Sequence, residues 1–114
     1  MNHSMKLFEQ SFANIKSGKK TIEVRLYDEK RQQVQIGDTI TFTKLPDKDD
    51  TITVEVIGLS RFSNFRDFFS SFDKSKFAHP ENWSVEDQIQ AQRDVYSEEE
   101  EKRYGVIGIH IKLT

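Results

Sequence analysis

The segment Ser17-Gly18-Lys19-Lys20-Thr21-Ile22-Glu23-Val24-Arg25 gathers residue types able to hold a phosphate or a polar base edge. Glu23 and Arg25 stand two apart in an alternating run, so on a strand both side chains leave the same face. Lys20 falls where that strand emerges from a glycine turn at Gly18. Arginine offers a planar fork of donors, lysine a mobile point charge, and glutamate an acceptor for exocyclic amines. A simple surface pair between Glu23 and Arg25, worth well under ~1 kcal/mol, accounts for the same two residues equally well.

Other chemistries are poorly supplied. There is no phosphate-binding loop and no dinucleotide-type glycine fingerprint. The chain has no cysteine, which excludes disulfide scaffolds, thiol nucleophiles and thiolate metal sites. His3, His79 and His110 are scattered, without the spacing of a zinc ligand pair or a serine–histidine–aspartate triad. His110 reads as a polar-face strand histidine, His79 as a loop histidine and His3 as inert. No cofactor and no metal are expected.

The elements that must position Lys20, Glu23 and Arg25 follow from periodicity. Phe8, Phe12 and Ile15 stand at helical spacing, and Gly18 falls where a C-terminal cap belongs. Ile22, Val24 and Leu26 then alternate with Thr21, Glu23, Arg25 and Tyr27, the pattern of a half-buried strand. Thr39 to Thr43 and Thr51 to Val56 alternate around a polar loop and predict a β-hairpin. Phe65, Phe68, Phe69 and Phe72 follow Asn64, a candidate N-cap, at core spacing for a helix packed on the sheet. Ser84 and Asp87 form a capping-box pattern for a second helix through Val95. Glu98 to Glu101 read as a solvated helical turn, and Gly105 to Leu113 as a closing strand with Ile107, Ile109 and Ile111 inward. Met1 to Ser4 precede a second methionine and are expected to be an unstructured start or a remnant of expression. These elements predict a small α+β domain over 5–114, a curled sheet or partial barrel with covering helices.

A chain of 114 residues has the length of one domain. Apolar residues make up only 35%, against 32% charged, but nine phenylalanines among them supply enough bulk for a core. No apolar run approaches a membrane span, and a cytoplasmic location is expected. The net charge of −2 excludes binding of nucleic acid by bulk positive charge. The distribution is uneven: Lys16 to Arg31 carry a net +3, and Glu81 to Glu101 a net −7. A basic stretch of this kind can draw phosphate even in a mildly acidic protein.

Gly18, Lys20, Glu23 and Arg25 fill all four positions of G-x-K-x-x-E-x-R, and the chain thereby resembles the ASCH family, the activating-signal-cointegrator homology domains. The Ile36-Gly37-Asp38 turn and the late Tyr104-Gly105-Val106-Ile107 agree with it, and the resemblance spans roughly Met5 to Leu113. It implies a PUA-like β-barrel with short helices at its rim and a cleft where the signature residues gather. Members are regarded as RNA-binding or RNA-processing modules. The resemblance then implies that Lys20 and Arg25 contact phosphate or ribose, while Glu23 positions them or reads a base. Single-stranded or structured RNA, or a modified nucleoside, is the implied partner, with no membrane involved. Tyr27, Trp83 and Tyr96 are the stacking candidates, although Trp83 also reads as an apolar anchor of its loop.

One branch of similar small proteins hydrolyses N4-acetylcytidine with a lysine, a threonine nucleophile and a glutamate. Lys20 falls on that lysine and Glu81 on that glutamate, but Glu23 occupies the threonine position. A carboxylate does not supply the same hydroxyl attack; Thr21 is the nearby substitute. Three readings follow. The first is an RNA- or nucleotide-binding module around Gly18, Lys20, Glu23, Arg25, Tyr27 and Trp83. The second is a metal-independent hydrolase, an amidohydrolase or ribonuclease, using Lys20, Glu23 and Glu81. The third is an interaction domain whose acidic face, Glu86 to Glu101, docks a basic protein.

Overall fold

The computed structural model describes residues 1–114. Five strands form one curled sheet, a half-barrel, with four helices on it, so the fold is α+β. In chain order the elements are β1 (Asn2–Phe8), α1 (Glu9–Lys16), β2 (Ile22–Leu26), β3 (Thr39–Leu45), β4 (Thr51–Phe62), α2 (Phe65–Ser71), α3 (Val85–Gln92), α4 (Glu98–Tyr104) and β5 (Val106–Leu113). Two single 3-10 turns, Arg31–Gln33 and Lys74–Phe77, complete it. The strand order is β1-β3-β4-β5-β2, with β1 parallel to β3 and the other pairs antiparallel. Strands β1 and β2 are therefore the two edges, and a seam separates them.

Residues 2–4 are not an unstructured start. His3, Met5 and Leu7 alternate inward along β1, and His3 Nε2 lies 2.8 Å from Asp38 Oδ2. The expected first helix begins one residue after Phe8, which ends β1 with its ring exposed, while Phe12 and Ile15 are buried as their spacing requires. Gly18 follows α1 at φ +81, the left-handed conformation that lets the chain reverse into β2 without a Cβ clash.

Two apolar clusters sit on the two faces of the sheet. Inside the curl, Ile107, Ile109 and Ile111 of β5 meet Met5, Phe42 and Val56. On the outer face, Ile22, Val24 and Leu26 of β2 meet the Phe65, Phe68 and Phe69 stripe of α2. The Asn64 side chain accepts from the Asp67 amide, and the Ser84/Asp87 capping box is formed. Helix α3 stops at Gln92 rather than Val95, where the Arg93 amide bonds back to the Gln90 carbonyl. In α4 the acidic run is not uniformly solvated: Glu101 is buried, accepting from the Phe65 amide at 2.7 Å and from Arg93 at 2.6 Å. The hairpin of β3 and β4 and the closing strand β5 stand where alternation places them, but β4 continues beyond Val56 to Phe62, past a register shift between Val56 and Gly58, to pair with β5.

Candidate functional site

Strand β2 is covered on both faces. Its even positions are buried under α2, while Glu23 and Arg25 pair with Ile109 and Ile107 of β5 and so share the interior face of the curl. Glu23 is consequently only 3% exposed, not the surface residue of an exposed ion pair. Its oxygens are both engaged: Lys20 Nζ lies 2.8 Å from Oε1, and Arg25 Nε donates to Oε2 at 2.6 Å. Lys20 also donates to Ser11 Oγ at 3.2 Å, and Arg25 Nη2 to the Lys6 carbonyl at 2.8 Å. Burial alone raises the Glu23 carboxyl, but the adjoining ammonium and guanidinium outweigh it by charge and hydrogen bonding and hold it at about 2.

This triad forms one wall of a cavity of about 940 Å³ at the seam between β1 and β2. The opposite wall comes from the loop before α3 and the chain after it, with His79, Trp83 and Tyr96. His79 and Trp83 rings lie 5.0 Å apart, and Tyr96 stacks on Phe65 at 6.1 Å. Lys6 and Lys19 are exposed at the margin. Four cations and one carboxylate line the cavity, a local net of +3 in a chain of −2.

The other sequence candidates lie elsewhere. Gly18 and Thr21 border a second cavity of about 600 Å³ on the far side of Lys20, and Thr21 is exposed there. Tyr27 lies beneath Arg61, whose guanidinium carbon is 3.7 Å from the ring centroid, and does not reach the cavity. Glu81 is exposed, bonds to neither Lys20 nor Glu23, and stays off the wall that flanking Pro80 and Trp83 help build. Lys20 and Glu81, the pair on which the hydrolytic reading depends, are thus not joined. Nor is Glu23 suited to activating water, since a carboxylate held near 2 is a poor proton acceptor at neutral pH. No three histidine or carboxylate side chains gather as a metal site.

Sequence reasoning missed Lys6, Lys19 and His79 as wall residues. Lys19 lay inside the basic stretch, and that charge bias was the signal available. His79 carried none: Phe77 and Trp83 are close to it in the chain, but only the fold turns the imidazole onto Phe69 of α2 and into the cavity wall.

The family model described as the ASCH domain matches residues 5–114. The chain belongs to the ASCH family. Among solved structures, this ASCH domain is similar to the crystal structure of a hypothetical protein, PH0355, at 37% identity and a TM-score of 0.86, covering 100% of both chains. It is similar also to the solution structure of protein PF0455 from Pyrococcus furiosus, at 37% identity and a TM-score of 0.76, covering 99% of this chain and 97% of that one. The ASCH protein of Zymomonas mobilis shares the fold at 15% identity and a TM-score of 0.67, covering 97% of this chain and 66% of the other. No curated protein matches the chain. No helix of this ASCH domain is long and apolar enough to cross a membrane.

Proposed function

We propose that this ASCH domain binds single-stranded RNA, or a nucleotide of it, in the seam cavity. The observation that carries the reading is the local charge: four cations against a single carboxylate that already accepts from two of them. The Lys20–Glu23–Arg25 triad keeps a net +1 and retains N–H donors beyond those its own contacts use. Such a wall suits phosphate or ribose. Facing it, Trp83 and Tyr96 supply flat apolar surface for a base, and stacking of this kind contributes about 1–3 kcal/mol per base. The volume of about 940 Å³ accommodates one nucleotide with its neighbours outside. A base reaches Trp83 and Tyr96 only when it is unstacked, which suits a single strand, a loop or an end rather than a duplex.

The chain's one tryptophan stands in this wall, so its fluorescence reports occupancy directly. Titration with a short oligouridylate should quench or shift Trp83 emission with an affinity that falls steeply with salt. Lys19→Ala removes a wall cation that forms no ion pair, and should weaken binding while lowering the log–log salt slope by about 0.7. Absent or salt-independent binding overturns the reading.

A further inference from the structure

His79 is the cavity residue whose chemistry the charge argument leaves unused. It follows the second 3-10 turn, where Ala78 adopts φ 57, ψ 31. A left-handed alanine costs on the order of 1 kcal/mol, and here it turns the chain so that the imidazole wedges among Phe69, Phe77 and Trp83, at 5.7, 5.5 and 5.0 Å between centroids. The ring is thus held by packing.

Its tautomer is held as well. Nδ1 lies 2.9 Å from Gln88 Nε2, and Gln88 is fully buried. With the amide nitrogen on Nδ1, the ring must accept there and carry its proton on Nε2. Gln88 Oε1 is then the buried atom without a partner. The flipped amide would instead bury two N–H donors with no acceptor, the costlier arrangement, because an under-satisfied carbonyl is tolerated better than an orphaned donor. Nε2 has no partner in the protein, and His79 lines the cavity. Burial first, and then the Lys20 charge, press the imidazole pKa down to about 4, so the ring is neutral near pH 7.

The charged groups of the wall are otherwise donors too: Lys6, Lys19, Lys20 and Arg25 donate, and Glu23 is occupied by two of them. Among the charged groups, an exocyclic amine on a base therefore meets donors and a ring carbonyl meets partners, while neutral Gln10, Asn14 and Gln92 can serve either.

We infer that His79 is a specificity-determining residue of the seam cavity, its Nε2–H donating to a ring-carbonyl oxygen of the bound base, so that the keto edge of uracil is preferred to the amino edge of cytosine. The inference rests on the nucleotide-binding reading and names what that site selects. Uracil and cytosine are nearly isosteric and differ at the atom in question, an acceptor in one and a donor in the other. A site built to donate there discriminates because the wrong base leaves its own N–H and that of the histidine opposed.

Two measurements test it. The first needs no ligand and no variant: nitrogen-15 NMR of the wild-type imidazole at pH 7 should show Nε2 protonated and Nδ1 as the unprotonated nitrogen. The reverse assignment overturns the inference whatever the protein binds. The second compares short oligouridylate with oligocytidylate by Trp83 fluorescence. The wild type should prefer uridylate by about tenfold, the effect of one hydrogen bond made or opposed. His79→Phe keeps the aromatic packing and should bring the ratio close to one, and His79→Gln, which retains a donor, should keep most of it. Equal binding of both oligonucleotides by the wild type, or an unchanged ratio in His79→Phe, overturns the inference and leaves the binding reading standing. If neither oligonucleotide binds, the binding reading fails and takes the inference with it.

Discussion

Arg25 Nη2 stands 2.8 Å from the carbonyl oxygen of Lys6, and so joins the two edge strands of a sheet that share no backbone ladder. The same guanidinium donates through Nε to Glu23. One side chain thereby ties β1, β2 and the buried carboxylate together at the mouth of the cavity. Lysine cannot reach both acceptors with a planar fork. Arg25→Lys should cost about 1–2 kcal/mol and speed hydrogen exchange along β1 more than along β4, read by exchange mass spectrometry.

Removing the buried anion should be more damaging. Glu23→Gln leaves Lys20 and Arg25 facing one another without a carboxylate, and breaking a buried pair in this way costs about 3–5 kcal/mol. Urea unfolding should show a lower midpoint for Glu23→Gln. A midpoint equal to wild type would mean that the triad contributes nothing to stability.

Acid should act in two steps. His79 has its folded pKa pressed from 6.5 to about 4, so as pH falls between those values the unfolded chain takes up a proton that the folded chain refuses, and stability declines. Glu23 is likewise depressed, from 4.5 to about 2; its contribution is complete above pH 4.5 and is lost as pH falls toward 2. A shift of that size corresponds to roughly 3 kcal/mol. Thermal melts from pH 7 to pH 2 should fall first near pH 6 and again below pH 4.5, and His79→Phe should lessen the first decline without changing the second. The rest of the first decline comes from His110, whose partial burial also lowers its pKa.

Gly108 of β5 leaves room for the Phe68 ring of α2. A Cβ at Gly108 would stand 2.5 Å from Phe68 Cε1, and the ring is fully buried with no space to retreat. Gly108→Ala should therefore destabilise by about 1–3 kcal/mol through overpacking, measurable by chemical denaturation.

The acidic helix gives a matched pair of outcomes. Glu101 accepts from the first amide of α2 and from Arg93, so Glu101→Ala should cost about 1–3 kcal/mol. Glu99, two residues earlier and exposed, should be neutral to within about 0.5 kcal/mol when replaced by alanine. Exposed Glu81 forms no bond within the site, and Glu81→Gln should leave oligouridylate binding unchanged.

Local periodicity determined much of this protein. The alternation of β2 through β5, the phenylalanine face of α2 with its Asn64 cap, the Ser84 capping box and the left-handed turn at Gly18 all depend on neighbours within a few residues, and all were legible as residue types at fixed spacing. The convergence of Lys20, Glu23 and Arg25 belongs with them, because a turn and a strand bring residues so close in sequence together. Even β1 had its signal in the alternation of His3, Met5 and Leu7, but the helical spacing of Phe8, Phe12 and Ile15 overrode it.

Tertiary structure alone decided what lies against those residues. Alternation says that Glu23 and Ile22 face opposite ways, not that both faces of β2 are covered, one by α2 and one by the curl of the sheet. That covering turns an ordinary surface pair into a buried, doubly paired carboxylate. The separation of Glu81 from the triad, the stacking of Tyr27 under Arg61 and the packing of His79 on Phe69 are set by how separate segments meet: the curl of the sheet, the opening of its seam and the seating of the loop before α3 against α2. Spacing along a chain fixes the direction of a side chain; only the packing of distant elements fixes what it meets.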